Sequence, residues 1–80
     1  MYYVYALKGP KQFYIGSTND LRRRFAEHER GESKSTKNRG PWRLVYYEAS
    51  TSRTDAIIRE RYLKTAWGKR YLKNRIANGM

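Results

Sequence analysis

Two short β-forming segments joined by a Gly-Pro turn begin this chain and restrict it to folds that contain an N-terminal β-hairpin. Residues 2–7 read Tyr-Tyr-Val-Tyr-Ala-Leu, and residues 13–16 read Phe-Tyr-Ile-Gly. Aromatic and β-branched side chains favour strands, whereas Gly9-Pro10 between the two segments is a turn signal. The first two elements are therefore predicted to be paired strands.

The rest of the chain predicts three helices and one further strand. Residues 17–20 supply capping side chains for a helix from Leu21 to about Arg30 that stops at Gly31. Residues 31–41 are predicted to be a loop, and residues 42–49 a third strand. A second set of caps at 50–54 precedes a helix to about Trp67, where Gly68 breaks it. The last helix is predicted from residue 69 to about 77. The order ββαβαα indicates an α+β fold, a small three-stranded sheet flanked by helices.

Chain length and composition limit the possible architectures and sites. Eighty residues are expected to form one domain, residues 1–80, because a second hydrophobic core would not fit. The absence of Cys excludes disulfides and thiolate-bound zinc, and His28 is the only histidine. Any metal would therefore be a hard cation on oxygen ligands. The apolar runs are too short for a membrane span or a signal peptide, which predicts a cytoplasmic protein.

The charge balance points to a polyanionic partner. The chain has 18 Lys and Arg against 7 Asp and Glu, a net charge of +11. Such a surplus favours nucleic acid. The alternatives are a basic protein with no specific partner and a membrane-surface protein, but no segment opposes a basic face to a broad apolar face.

Helical spacing places two polar residues on the apolar side of the first helix. Leu21, Phe25 and His28 lie within about 60° of one another, and Arg24 borders this face one turn before His28. Arg24 and His28 are thus neighbours on the side that meets the sheet. A functional pair is one interpretation. The other is a half-buried Arg with an exposed head and a hydrogen-bonded structural His.

The second helix carries an acidic residue within an apolar stripe. Ala56, Glu60, Leu63 and Trp67 follow the spacing i, i+4, i+7, i+11. A buried carboxylate without a partner is costly, so Glu60 should contact a cation, a donor cluster or a metal. The alternative to a functional role is a structural salt bridge with one of the many Arg residues.

Tyrosines gather in the predicted hairpin. Tyr3 and Tyr5 share one face of the first strand because side chains alternate with a period of two, and Tyr14 lies in the adjacent strand. Such residues are commonly core or interface aromatics. Gly16 ends its strand where the backbone either approaches a phosphate closely or turns sharply.

In order and spacing, these residues resemble the GIY-YIG endonuclease superfamily. Tyr14-Ile15-Gly16 is similar to the second motif of that family, and Tyr3-Val4-Tyr5 stands at the first, with Tyr3 in place of Gly. The stretch 17–28, Ser-Thr-Asn-Asp-Leu-Arg-Arg-Arg-Phe-Ala-Glu-His, looks like the family's helix and aligns Arg24 and His28 with its Arg and His. Glu60 falls on the metal-binding Glu. The chain looks most like the small stand-alone branch and is also similar to the nuclease domain of the incision protein of nucleotide excision repair, which suggests DNA repair as a setting.

The resemblance implies a metal-dependent endonuclease that hydrolyses phosphodiester bonds in DNA, structured or branched DNA included. Glu60 would hold one Mg²⁺ or Mn²⁺, with water and phosphate as most of the other ligands. Arg24 would stabilise charge on the phosphate. Tyr5 would act as the general base, with Tyr14 and His28 assisting, and nearby cations would lower the pKa of Tyr5 from about 10.

Contacts to the nucleic acid, DNA or alternatively RNA, are predicted at a loop and at the last helix. The predicted residues in these two segments are Lys34, Lys37, Arg39, Lys69, Arg70 and Lys73. Gly16, at the end of the second strand, and Asn74, which aligns with an Asn of the family, are predicted to contact the nucleic acid as well. An ordinary solvated loop is the alternative for residues 31–41. For the whole protein, the alternatives to a nuclease are a non-catalytic nucleic-acid-binding module of the same fold and a basic interaction protein; the sequence leaves the oligomeric state open.

Overall fold

Three strands and three helices make up residues 1–76, the part of the chain that the computed structural model describes. The elements are β1 (Tyr2–Lys8), β2 (Phe13–Thr18), α1 (Leu21–Glu29), β3 (Arg43–Ser50), α2 (Arg53–Leu63) and α3 (Ala66–Ile76). This order confirms the predicted ββαβαα arrangement and the α+β class.

The sheet is antiparallel with β1 in the centre, in the order β2-β1-β3. Two consecutive residues of β1, Tyr5 and Ala6, are both buried, so helices or loops cover both faces of the sheet. Because side chains alternate between faces, a central strand covered on both sides must be apolar along its whole length. This requirement explains the uninterrupted apolar run at residues 2–7.

Each face of the sheet has its own apolar cluster. Val4 and Ala6 of β1 pack with Ile15 of β2 and with α2 and α3. On the opposite face, Tyr5 and Leu7 of β1 pack with a second group whose members come from the other strands, from α1 and from the residue just before β3: Tyr14, Leu21, Phe25, Trp42 and Leu44. The sheet is therefore the middle layer between α1 on one side and α2 with α3 on the other.

The predicted capping residues begin and end the helices. The Asp20 carboxylate accepts a hydrogen bond from the backbone N–H of Arg23 at 3.1 Å, and the Ser52 hydroxyl accepts one from Asp55 at 3.1 Å. Both satisfy amides that the first helical turn leaves unpaired. Gly31, at φ +73, follows α1 in the left-handed conformation that glycine adopts without strain.

The predicted boundary between the second and third helices was wrong. The helix expected to reach Trp67 ends at Leu63, and Gly68, expected to break it, lies inside α3. Thr65 makes the break, since its hydroxyl donates to the Tyr62 carbonyl at 2.6 Å and accepts from the Gly68 amide at 3.1 Å. Trp67 consequently leaves the predicted stripe of α2 and is 68% exposed.

Gly68 serves close packing instead. A Cβ at this position would collide with the carbonyl oxygen of Tyr62 and with the Cα of Leu63. These are backbone atoms, so they cannot move aside as a flexible side chain would. A glycine here lets the start of α3 rest against the end of α2, which no local propensity in the sequence reveals.

Other element ends differ by one or two residues. β1 and β2 extend beyond their predicted ends to Lys8 and Thr18, and Trp42 lies just before β3 instead of within it. The predicted end of the last helix at Ala77 lies outside the described residues. None of the helices within residues 1–76 is long and apolar enough to cross a membrane.

We predict that Gly68→Ala destabilises the fold by about 2 kcal/mol, the cost typical of overpacking, although alanine is the better helix former. Urea unfolding followed by circular dichroism measures the change. Asn74→Ala, at an exposed position of the same helix, gains similar helix propensity without the clash and should be neutral or stabilising. Equal stability of the two variants would contradict the close approach.

Candidate active site

The candidate catalytic residues lie on both faces of the sheet, beside the edge strand β2. Tyr5, Tyr14 and His28 meet on the α1 face of the sheet, and Arg24 lies on the same side. Glu60 projects from α2 on the other face. Because β2 is an edge strand, side chains from both faces are close to the same border of the sheet.

A buried chain of hydrogen bonds links Tyr5, His28 and Thr36. The hydroxyl of Tyr5 lies 2.8 Å from Nε2 of His28, and Nδ1 of His28 lies 2.7 Å from the hydroxyl of Thr36. None of the three residues is more than 2% exposed. Buried polar groups are costly without partners. Loss of any one of the three side chains would therefore leave a neighbouring one without a hydrogen bond.

The imidazole of His28 is neutral at pH 7. Burial lowers the pKa of His28, and the positive charge of Arg24 lowers it further, against a smaller raising effect of Glu27. A neutral imidazole donates at one ring nitrogen and accepts at the other. His28 can therefore connect Tyr5 to Thr36 as a donor on one side and an acceptor on the other.

The pKa of Tyr5 is shifted upward, contrary to the expected lowering by cations. Burial raises the pKa of Tyr5 to about 12, with a further raising contribution from Tyr14. Arg24 acts in the predicted direction, but each of its contributions is smaller than that of burial. Tyr5 accordingly keeps its proton at neutral pH.

Gly16 makes room for the Tyr5 ring. The two residues are directly opposite each other in neighbouring strands. A Cβ at Gly16 would lie 2.6 Å from the Tyr5 hydroxyl oxygen and 3.1 Å from a ring carbon of Tyr14. The glycine thus permits the phenol of a central strand to reach across β2, and its predicted contact with nucleic acid stays a prediction.

Aromatic packing holds this cluster in place. The Tyr14 ring lies 5.0 Å from the imidazole of His28 and 6.4 Å from the Trp42 ring, centroid to centroid. The Trp42 indole donates to the backbone carbonyl of Thr36 at 3.0 Å. The sequence did not predict Trp42 or Thr36 to belong to the catalytic site, and the Thr36 hydroxyl, expected with its loop to face a phosphate, is buried. Within a polar loop, nothing local distinguishes the buried Thr36 from exposed neighbours.

Arg24 combines a packed stem with a partly accessible head. Its guanidinium donates to the Glu27 carboxylate at 2.8 Å and to the Ser33 hydroxyl at 3.4 Å, and its side chain is 35% exposed. The hydrogen bond with Glu27 is the main reason that the pKa of Arg24 is raised. This is the geometry of a half-buried Arg, and it keeps part of the guanidinium accessible from solvent.

Glu60 has two hydrogen-bond donors, one of them a cation. The hydroxyl of Ser17 donates to one carboxylate oxygen at 2.5 Å, and the ammonium of Lys64 donates to the other at 2.7 Å. Burial alone would raise the pKa of Glu60, but these donors together lower it below its usual value. The predicted structural alternative was a salt bridge with Arg; the observed partner is Lys64, whose side chain is 53% exposed.

The donor set at Glu60 fits a weakly coordinated hard cation. Within residues 1–76, no three His, Cys, Asp or Glu side chains come together as a metal cage. One carboxylate beside a hydroxyl suits Mg²⁺ or Mn²⁺, which keeps several waters and takes further ligands from a phosphate. An open cleft of about 400 Å³ borders Ser17, and it is lined by Tyr2, Ser17, Thr18, Asn19, Arg53, Ala56 and Ile57.

The predicted nucleic-acid contacts lie on the surface in two segments. In the loop, Lys34, Lys37 and Arg39 are exposed, while Ser33 and Thr36 are buried and anchor it. On α3, the exposed residues include all four that were predicted: Lys69, Arg70, Lys73 and Asn74. These positions are accessible to a polyanion.

Comparison with known proteins places this chain among proteins with a GIY-YIG domain. Residues 1–75 match the model of the GIY-YIG catalytic domain. A UPF0213 protein of Clostridium perfringens is 42% identical over 66 residues, which cover 80% of this chain and 71% of the relative. A UPF0213 protein of Haloquadratum walsbyi is 38% identical over 66 residues, with 80% and 74% coverage.

A solved structure and a longer relative extend this comparison. The solution NMR structure of a UPF0213 protein from Bacillus halodurans has a TM-score of 0.58 and 35% identity, and the match covers 91% of this chain and 82% of that one. A structure-specific endonuclease subunit SLX1 homolog of Giardia intestinalis is 34% identical over 61 residues. That match covers 72% of this chain but only 17% of the relative.

We predict that His28, the only histidine, titrates below its usual value of about 6.5 in a proton NMR titration. Burial and Arg24 both disfavour the imidazolium. The unfolded chain then binds a proton below about pH 6.5 that the folded protein does not, so the free energy of unfolding should fall as pH decreases through this range.

Variants of α1 provide the control for this titration. Arg24→Gln removes the nearby positive charge and should raise the pKa of His28. Arg22→Gln, an equal charge change at an exposed position of the same helix, should leave it unchanged. A wild-type pKa at or above about 6.5 would contradict a buried neutral imidazole.

Proposed function

The chain belongs to the GIY-YIG family, and on this premise we propose that it is a metal-dependent endonuclease that hydrolyses phosphodiester bonds in nucleic acid, with DNA as the favoured substrate. The observation that carries the proposal is the geometry at the edge of β2. A buried Tyr5–His28 pair and Arg24 lie on one face, and a partly exposed carboxylate at Glu60 lies on the other. The proposed acting unit is the single domain of residues 1–80.

Water activation is assigned to Tyr5 and His28 acting together. A phenol with a pKa of about 12 is protonated at neutral pH, so it cannot act as a preformed phenolate. In the tautomer whose Nε2 is unprotonated, Tyr5 accepts a proton from the attacking water while it passes its own proton to His28. The water oxygen bonds to phosphorus, the bond to the leaving oxygen breaks, and that oxygen takes a proton from a solvent water. The proton on Nε2 then returns to Tyr5, and Tyr5 releases a proton to solvent.

Thr36 and Tyr14 support this transfer. Thr36 accepts from Nδ1–H of His28 in that tautomer, so the imidazole is already oriented before reaction. As Nε2 gains a proton, the hydrogen bond to Thr36 stabilises the imidazolium. Tyr14 packs against the imidazole ring, 5.0 Å away between centroids, and so helps to hold it in this orientation.

Arg24 is assigned to the phosphate. Its guanidinium is partly exposed and held by Glu27 and Ser33, so the donors that these two residues leave unused can bind phosphate oxygens. Charge develops on these oxygens as the water attacks, and a positioned cation there favours the transition state.

Glu60 with Ser17 would hold Mg²⁺ or Mn²⁺. Lys64 occupies one carboxylate oxygen, and its flexible, half-exposed side chain can turn away into solvent. When bound, the cation supplies positive charge to the phosphate and to the leaving oxygen. Ser17 keeps the carboxylate oriented through its 2.5 Å hydrogen bond.

A non-catalytic nucleic-acid-binding module is the second candidate. Two observations favour it: the raised pKa of Tyr5 and the ion pair that neutralises Glu60. A binder would use the exposed basic residues of the loop and α3 and would not need the carboxylate. The two candidates therefore differ at Glu60.

We predict that Glu60→Gln abolishes metal-dependent cleavage of branched and duplex DNA while the melting temperature changes little. The amide keeps the shape of the carboxylate but is a poor metal ligand, and an exposed Lys–Glu pair contributes only about 0–1 kcal/mol to stability. Tyr5→Phe and Arg24→Ala should also lose turnover while they retain binding.

Glu32→Gln is the matched control, because it removes the same charge from an exposed ion pair with Arg30. It should cut at the wild-type rate. Wild-type protein without cleavage on a panel of DNA and RNA substrates with Mg²⁺ or Mn²⁺ would favour the binding module. Cleavage retained by Glu60→Gln would overturn the assignment of the metal to this residue.

We predict salt-sensitive binding that depends little on base sequence, because cations that contact phosphates release counterions. With about five phosphate contacts, log K against log salt should have a slope of about −4 to −5 on duplex DNA. Replacing Lys34, Lys37 and Arg39 by Ala should weaken binding and reduce the slope. Fluorescence anisotropy in EDTA measures both.

A second triple variant distinguishes a specific contribution of the loop to binding from the effect of reducing the net charge. Arg22, Arg23 and Arg43 are also exposed, and their replacement by Ala removes the same charge elsewhere. It should weaken binding less than the loop variant. Equal effects would show that the loop is only a connection.

A further inference from the structure

We propose that Trp67 and Arg70 on α3 form a stacking platform for an unpaired base, so that the preferred nucleic acid contains a single-stranded segment next to the cleavage site. The proposal rests on the proposed function in one respect, namely that a cleavage site exists at Glu60. The platform itself makes a binding contact, which can be tested without any cleavage.

The exposure of Trp67 has a definite structural cause. The inward stripe of α3 is formed by Gly68, Leu72 and Ile76, which are all buried. Trp67 precedes Gly68, so it points away from α2 and has 68% of its surface exposed. It is the most exposed large hydrophobic residue of residues 1–76, whereas the other tryptophan, Trp42, is 7% exposed. Exposing an indole costs hydrophobic free energy, and packing within residues 1–76 recovers only a minor part of it.

Arg70 orients the ring. Its guanidinium carbon lies 5.3 Å from the centroid of the Trp67 ring, a cation–π distance. Asn74 follows on the same stripe at i+7 from Trp67, since residues spaced by three, four and seven share a helix face. A flat aromatic surface, a cation and an amide are therefore aligned along one side of α3.

The positive charge around Trp67 and Arg70 favours binding of a polyanion. Glu60 is the last acidic residue of the chain. The basic residues that follow are all exposed, and they are Arg61, Lys64, Lys69, Arg70, Lys73 and Arg75. Aromatic rings within a cationic groove are the elements that bind single-stranded nucleic acid, since each base has a face that stacks while the cations follow the backbone.

The platform is connected to the candidate metal site by the short turn between α2 and α3. Lys64, the residue after α2, donates to the carboxylate of Glu60, and Trp67 is the second residue of α3. A strand whose phosphates pass Lys64 could therefore place one base on Trp67 and a phosphate near Glu60. This arrangement favours substrates in which duplex and unpaired segments meet.

The test measures binding in EDTA, so the result does not depend on nuclease activity. A single-stranded oligothymidylate should quench the fluorescence of Trp67, and Trp67→Ala should weaken its binding about 10-fold or more, as expected for the loss of one stacked base. Trp67→Phe should retain most of the affinity. Binding of a blunt duplex of equal length should change less than about twofold, because phosphate contacts dominate there.

Ile58→Ala is the matched control, since Ile58 is another exposed apolar residue at 58% but lies on α2. It should leave both affinities unchanged. Unchanged single-strand affinity in Trp67→Ala, or an equal loss for duplex and single strand, would overturn the platform. Sedimentation that shows wild-type dimers lost in Trp67→Ala would also overturn it and assign the surface to a second copy of the chain. A failed platform leaves the Glu60 site intact, because cleavage is measured separately with Glu60→Gln.

Discussion

The buried hydroxyl of Tyr5 imposes the constraint on which the site depends. A phenol in the centre of a sheet must find a hydrogen-bond partner, and it finds His28. The imidazole in turn needs Thr36, and the indole of Trp42 fixes the backbone of Thr36. One buried polar atom thereby links β1, α1 and the loop before β3, and none of the three segments can be repositioned alone.

Gly16 allows the Tyr5 side chain to extend over the neighbouring strand β2. A side chain at that position would occupy the volume of the Tyr5 phenol, so the central strand presents its tyrosine towards the edge strand only because the edge strand lacks a side chain there. The same strand offers Ser17 to the opposite face, where it orients Glu60. Adjacent residues of one edge strand therefore define the two halves of the candidate site.

Much of the fold could be predicted from local patterns, while the contacts within the site could not. The strands follow from β-forming side chains, the caps at Asp20 and Ser52 from their side-chain acceptors, and the face shared by Arg24 and His28 from helical spacing. The roles of Thr36 and Lys64 depend on residues distant in sequence or on side-chain conformation. The break before α3 was misplaced because Gly68 was interpreted as a breaker, although its function is to let two helices approach.

The sequence by itself determined the order of elements, the cationic surface and the residue types available for phosphodiester chemistry, because these depend on composition and short-range periodicity. Only the tertiary structure decided the protonation of Tyr5 and His28, because burial controls both and arises from the packing of separate elements. It also decided that Trp67 faces solvent instead of the core. That outcome depends on a close contact between helix backbones, which no single segment encodes.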